Sequence, residues 1–294
     1  MKLMDPSKMQ ARMHRRIYQN NILKYIFLLA TLFGLVVLAT LIIRVLNDGL
    51  GWIDFNFLTG RLSNDAERAG IMGAILGTFW LMVVVAPVTL IVGIGTAIFL
   101  ELYLKKGKAQ SFIQTNISNL AGVPSIVYGI LGLTIFVRLM DMGNIVLAGG
   151  LTLSLLVLPI IIVAAQEAIR AVPSFLTEAS YGMGATKWQT IKNIILPAAL
   201  PGMLTGAILA LSRAIGETAP LTVIGIPALI IPFPSGITDK FTALPMQIYY
   251  WTLDSSLVAE YANLAAATIV VLLLLLFILN STAIFIRNKF QQRY

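Results

Sequence analysis

The sequence predicts an all-α polytopic membrane protein with six transmembrane helices and both termini in the cytoplasm. Three observations predict it. Apolar residues make up 58% of the 294 residues and charged ones only 12%, against about 25% charged in a soluble domain. Apolar blocks long enough to span a bilayer recur between polar stretches, and the mean hydropathy is +0.86. The basic residues are also sorted by side. Arg44, Arg61, Arg68, Arg138 and Lys240 fall outside and Arg213 falls within a span, which leaves the other fifteen of 21 on the side of both termini. That is the positive-inside asymmetry, and it accounts for a net charge of +8 without nucleic acid.

Residue types exclude several chemistries. The chain has no Cys, and its single His14 sits in a basic tail where solvation is the simplest reading. Disulfides, thiolate metal sites, haem and His-based triads therefore lack their residues. No cofactor and no metal bound by this chain is expected.

Residues 1–21 form a polar cytoplasmic tail with Lys2, Lys8, Arg12, Arg15 and Arg16, expected to be mobile or to lie along headgroups. The tail is long and its apolar run is span-length, so no cleavable signal peptide is expected. The run 22–46 supplies the roughly 20 apolar residues that a crossing helix needs. An external loop, 47–70, follows, with Trp52 as an interfacial anchor. The main membrane domain is 71–286. Its first block, 71–104, is longer than a span requires and contains Pro87, Gly93 and Gly95, so tilt, a kink or an extension is expected.

The third span, 116–137, contains AGVPSIVYGILGL, in which Gly122, Pro124, Gly129 and Gly132 thin or kink the helix and let neighbours approach. A turn at Asp141 and Gly143 leads to the fourth span, 145–165, with Pro159 inside. The fifth, 198–226, opens with Gly202 and Gly206 in a G-x-x-x-G spacing, a helix-contact signature. In the external loop 227–261, Pro227, Pro232, Pro234 and Pro245 forbid a helix throughout, and Tyr249, Tyr250 and Trp251 suit a membrane interface. The sixth span is 262–286, and 287–294 is a basic cytoplasmic tail.

Two stretches stand apart from this support. The first is 178–197, EASYGMGATKWQTIKNIILP, polar and basic between apolar blocks. Pro173 and Ser174 open a short helix, and Gly182 or Gly184 ends it in a left-handed conformation. Thr186 and Gln189 have capping-box spacing at the start of a second helix. That helix carries Trp188, Ile191, Ile194 and Ile195 and ends at Leu196 and Pro197. The residues alone equally allow an ordinary loop whose amphipathic piece rests on headgroups.

The second stretch is the charge pair Arg213 and Glu217. At i, i+4 they project from one helix face and can pair. A charge inside a membrane costs about 2.5 to 3.5 kcal/mol on the insertion scale, so it should face protein or a water-filled cavity. Two readings stand side by side: a structural ion pair that fixes helix register, or a cation lining the path of an anionic substrate.

No G-x-x-x-x-G-K-[ST] phosphate loop occurs, so the chain is not expected to hydrolyse ATP. An intramembrane hydrolase would need paired Asp, Ser with His, or H-E-x-x-H. The predicted spans contain no Asp, and there is no second His. A membrane sensor or ATPase-coupled regulator remains the competing non-transport class.

The 178–197 stretch resembles the EAA loop of ABC importer permeases, with Glu178, Ala179, Ser180 in place of the usual second Ala, Gly184, Ile194, Leu196 and Pro197 at the family's spacing. The resemblance implies a type I ABC importer permease fold. It also implies a coupling loop, 173–197, that docks in a groove of a cytoplasmic ATPase, with Glu178, Ala179, Gly184, Ala185, Ile194, Leu196 and Pro197 as its marked positions. LSRAIGETAPL, AGVPSIVYG and LTLSLLVLPIIIVAAQEAIRAVP look more specifically like the phosphate importer permeases, and Ala219-Pro220 after Gly-Glu-Thr looks like their PstA-type subunit. This likeness covers about 71–286.

It implies a multi-pass protein of the bacterial plasma (inner) membrane that forms half of a heterodimeric pore for inorganic phosphate, with Arg213 and Glu217 linked to translocation. The implied partners are a PstC-type second permease subunit, two PstB-type ATPase subunits carrying ATP and Mg, and a soluble PstS-type phosphate-binding protein. The alternatives are a permease for another oxyanion, such as molybdate or sulfate, and the PstC-type subunit itself.

Overall fold

The computed structural model describes residues 6–63, 65–228 and 232–290. The described residues are mostly helical. Among the described residues the only extended pairing is an isolated antiparallel bridge between Ile145 and Lys240. The chain divides into two units, 1–48 and 49–294.

The first unit is essentially one helix, α1 (Pro6–Gly49), which runs without a break through both the basic tail and the first expected span. Within it Arg44 and Asp48 pair at 3.6 Å, one turn apart. Residues 1–5 of the tail lie outside the described residues.

The second unit is a helix bundle built around two long apolar helices, α3 (Met72–Ile98) and α6 (Val146–Arg170). Before them α2 (Phe55–Thr59) is capped by Asp54, whose carboxylate accepts from the Phe57 N–H at 2.6 Å. The connecting helices are α4 (Lys108–Ala121) and α5 (Ser125–Gly132), then α7 (Ser174–Gly182) and α8 (Lys187–Thr190). The remainder comprises α9 (Leu196–Gly216), α10 (Ala219–Ile224), α11 (Leu244–Asp254) and α12 (Glu260–Phe290).

Among the described residues, five helices are long and apolar enough to cross a membrane: Arg16–Trp52, Met72–Tyr103, Val146–Arg170, Lys187–Gly216 and Glu260–Lys289. The expected third span, 116–137, is not one helix. It is a pair, Lys108–Ala121 and Ser125–Leu139, bent by 101°. Gly122 terminates α4, and Pro124, extended at ψ 138, precedes α5. Proline holds the residue before it away from helical geometry and supplies no N–H, so the chain turns there instead of continuing. Counted as one span, the bent pair brings the number to six.

The small residues explain how closely the helices pack. A Cβ on Gly202 would stand 2.9 Å from the Ala168 Cβ, and one on Gly206 would collide with the Ala164 Cβ, so the predicted G-x-x-x-G face of α9 lies directly on α6. Gly129 meets Pro220 and Val223 of α10, and Gly132 meets Thr152 of α6. Gly122 makes no such approach, having only the Asn119 carbonyl of its own turn nearby. Buried hydroxyls in the spans back-bond within their own helices: Thr89 to Val85, Thr152 to Ala148, Ser154 to Gly150 and Thr268 to Leu264. Each of these four hydroxyls thereby directs its hydrogen into its own helix.

The loop after α10 closes one end of the bundle. Val146 and Leu147 at the start of α6 donate to the carbonyls of Asp239 (3.0 Å) and Ile237 (2.8 Å), which satisfies free helix donors. Asp239 is itself held by the Ser235 hydroxyl at 2.7 Å and by the N–H groups of Ser235 (2.8 Å) and Gly236 (3.0 Å). These bonds keep its carboxyl below the ordinary 3.8. The same loop contains a helix, α11, with Pro245 in its first turn, where a missing N–H costs nothing. Trp251 does not sit at an interface. It is 3% exposed and lies 6.3 Å, ring to ring, from Phe57.

Candidate functional site

The expected coupling loop is a helical hairpin. Pro173 precedes α7, and the chain reverses after Met183 through Gly184, whose φ of +82° is the left-handed region that favours glycine. The Ala185 N–H then reaches back to the Ser180 carbonyl at 3.2 Å. Thr186 caps α8 with the full capping box, accepting from the Gln189 N–H at 3.4 Å while the Gln189 side chain accepts from the Thr186 N–H at 2.8 Å. Ser180, the departure from the family pattern, bonds Thr190 hydroxyl to hydroxyl at 2.9 Å and so ties the two helices together.

The second helix departs from expectation in two ways. Leu196 and Pro197 do not end it. A π turn, Ile191–Ile195, with the Leu196 N–H reaching the Ile191 carbonyl five residues back, carries α8 directly into α9. The widened turn places Pro197 in the first turn of α9, where its missing donor is harmless. Trp188 also does not share the buried face of Ile191 and Ile195. It is exposed, while those two are buried against Ala97, Ala165 and Met203.

Glu178 and Ala179 are exposed, Ala185 and Ile194 half-buried, and Leu196 and Pro197 half-buried at the root of the loop. Beside Glu178 and Ala179 the hairpin presents the apolar side chains Phe175, Tyr181, Trp188 and Met183, the last 89% exposed. An open cleft of about 200 Å3 lies at its base, lined by Val172, Leu176, Ala199 and Gly202 among others.

Arg213 and Glu217 lie at a break and not along one helix face. The helix ends at Gly216, and Glu217 is extended at φ −79°, ψ 123°. The expected span to residue 226 is therefore α9 plus the short α10. Glycine lowers helix stability, and the following Pro220 is accommodated only in the first turn of a new helix. Across the break Arg213 Nε still donates to Glu217 Oε1 at 3.1 Å, with side-chain exposures of 49% and 17%. The guanidinium is pinned through one nitrogen, and its position in the last turn of α9 suits a cation. The neighbouring Ser212 donates to Asn280 of α12 at 2.6 Å.

Sequence reasoning missed a polar cluster at the coupling-loop end. Glu101, Gln114, Gln166 and Arg170 come from three helical segments far apart in the chain and meet at the C-terminal end of α6. No local motif marks them. The available signal was an acid and an amide, Glu101 and Gln166, within or just beyond otherwise apolar runs.

Residues 90–292 match the family described as binding-protein-dependent transport system inner membrane component. The chain belongs to that family. The match takes in every candidate residue from Gly122 to Glu217.

Among curated relatives, the chain is 35% identical over 185 residues to the probable ABC transporter permease protein YqgI of Bacillus subtilis, a stretch that spans 63% of each chain. It is 30% identical over 295 residues, 97% of both chains, to the phosphate transport system permease protein PstA of Yersinia pestis. The PstA of Mycobacterium leprae is 32% identical over 80% of this chain and 78% of its own.

Solved structures agree in fold at low identity. A bacterial alginate ABC transporter in complex with an alginate-bound periplasmic protein superposes with a TM-score of 0.66 at 15% identity, covering 92% of this chain and 96% of the other. An inward-facing MetNI methionine ABC transporter gives 0.61 at 19% identity, over 76% and 96%. This family member thus has the type I ABC importer permease fold, with the hairpin and the broken fifth span inside the matched region.

Proposed function

We propose that this protein is the PstA-type permease subunit of an ATP-driven inorganic phosphate importer. The observation that supports it most directly is its end-to-end likeness to a phosphate permease of that type. The geometry offers a matching chemistry. A half-exposed guanidinium, held by Glu217 through Nε, keeps its two terminal nitrogens for an oxyanion, and forked donors suit phosphate oxygens. Here Arg213 is a cation on the translocation path and Glu217 its positioning partner.

The pore is completed by a PstC-type subunit. The exposed hairpin of α7 and α8 docks by Phe175, Tyr181, Met183 and Trp188 on PstB-type ATPases, which carry ATP and Mg. A soluble PstS-type protein delivers phosphate to the opposite face. Closure and separation of the ATPases open the pore to alternate sides, and the chain itself catalyses nothing.

The test is ATP-dependent phosphate uptake in vesicles by the complete complex, wild type against Arg213→Gln at equal assembly. Uptake by wild type and its loss in the variant is the expected result. Undiminished uptake by the variant would reduce Arg213 to a structural residue. Uptake of molybdate or sulfate in place of phosphate would overturn the substrate.

A further inference from the structure

The second span does not finish as a regular helix. Its last turn, Phe99–Tyr103, is a π turn, with the Leu104 N–H reaching the Phe99 carbonyl. The extra residue in that turn accompanies a split in which Leu100, Glu101 and Tyr103 face different partners. Leu100 is buried against Ile117 and Ile162. Glu101 turns to the end of α6, where its carboxylate, 10% exposed, accepts from Arg170 Nη2 at 2.6 Å and Gln166 Nε2 at 2.9 Å. Tyr103 receives the Lys187 ammonium over its ring at 4.6 Å.

Each partner belongs to a segment that an import cycle has to move together. Arg170 ends α6, three residues before the Pro173 that opens the hairpin, and Lys187 begins α8 on the other arm. Gln166 also donates to Gln114 of α4 at 2.8 Å, and Gln110 of α4 donates to the Leu100 carbonyl at 3.2 Å, so the bent helix pair hangs on the same turn. Gln166 is 1% exposed, yet its Oε1 has no hydrogen-bond partner. π turns inside helices are frequent where function needs a departure from regular geometry.

We propose that Glu101 is the positioning residue that couples the ATPase-facing hairpin to the membrane helices. Its carboxylate clamps α6 to the second span and, through Gln166, to the bent pair, while Tyr103 two residues on holds the α8 arm. Displacement of the hairpin by the ATPases is carried into three helical segments at once through this turn. Without the clamp the hairpin moves alone and ATP is hydrolysed with little transport. This rests on the importer reading above, in which the hairpin meets an ATPase.

The experiment uses the full chain in its complete reconstituted complex and measures solute moved per ATP hydrolysed. Glu101→Gln keeps the shape and the bond from Gln166 but removes the charge facing Arg170. The expected result is a ratio about tenfold lower, within the range of coupling energies that packed relays carry. Glu101→Gln combined with Arg170→Gln removes both charges of the clamp, Glu167 losing only a partner at its exposed carboxylate, and recovers part of it. A ratio equal to wild type in Glu101→Gln, with only the thermal stability lowered, would overturn the proposal.

Should Glu101→Gln fail to assemble, Tyr103→Leu serves in its place, because that ring lies at the surface. Its ratio is expected to fall in the same direction, and an unchanged ratio would also overturn the proposal. If wild type moves another oxyanion, the phosphate reading fails on its own and the ratio is read with that solute. If wild type hydrolyses no ATP with any partner, the importer reading and this one fall together.

Discussion

The contact between α9 and α6 permits a quantitative test through Gly206 and Ala164. A Cβ added at Gly206 lands on the Ala164 Cβ far inside ordinary contact distance, with the α6 backbone behind it. The methyl cannot swing away, because neither side chain has a rotatable bond. Overpacking of this kind costs about 1 to 3 kcal/mol. Alanine in place of glycine within a helix returns about 0.5 to 1 kcal/mol.

Gly206→Ala is therefore expected to destabilise by about 1 to 2 kcal/mol net. Ala164→Gly alone costs about 0.5 to 1 kcal/mol through helix propensity. Together the two changes exchange the small residue between facing helices, so the double variant should be more stable than the sum of the singles by about 1 kcal/mol or more. The assay is reversible unfolding of the purified protein in detergent micelles, with all four members of the cycle measured in parallel. Additivity within about 0.5 kcal/mol would refute direct contact at this pair.

Two further predictions concern the hairpin and the opposite loop. Thr186→Ala removes the capping box and should lower local stability of α8 by about 1 kcal/mol, read as roughly fivefold faster hydrogen exchange at Gln189 and Thr190. Unchanged exchange there would mean that the cap is not formed. Asp239 supplies the pH dependence. Its carboxyl is held below 3.8 by the Ser235 and Gly236 donors, so its stabilising contribution is complete above that value and is lost as pH falls through the lowered one. Protection of the Val146 and Leu147 amides should therefore drop on acidification below about pH 4 and lose that dependence in Asp239→Asn. A persistent drop in the variant would assign the effect elsewhere.

The legible part of the architecture was whatever a single stretch of chain decides. Thr186 and Gln189 announce their cap because both partners lie within one turn. The reversal was narrowed to Gly182 or Gly184 because only a residue's own φ is at stake, and Gly184 takes it, while Gly202 with Gly206 announces a close helix contact. Pro124 was read as a kink but acts as a full break, since the Gly122 before it offers the helix no support across the gap.

The π turns at Phe99–Tyr103 and Ile191–Ile195 leave no comparable mark. An extra residue in a turn is fixed by what the flanking helices must face, and that is decided by partners elsewhere. For the same reason the apposition of Glu101, Gln114, Gln166 and Arg170 was invisible. Arg213 and Glu217 were found as a pair, but the helix end between them was hidden because glycine is tolerated in membrane helices as often as it ends them.

The π turn at the root of the hairpin also sets the rotational phase of the loop. Each residue of an α-helix advances its neighbours by about 100° around the axis. The turn at Ile191–Ile195 absorbs one residue without that advance, so the face shown by Trp188 is out of step with the face that α9 buries. Removing one residue between 191 and 195 would restore an unbroken α-helix and leave the hairpin facing the same way. Converting the π turn to regular α-helix at unchanged length would instead swing the hairpin by about 100° and carry Met183 and Trp188 to another side of the bundle. For this segment, the widened turn and the residue count set the facing of the loop together.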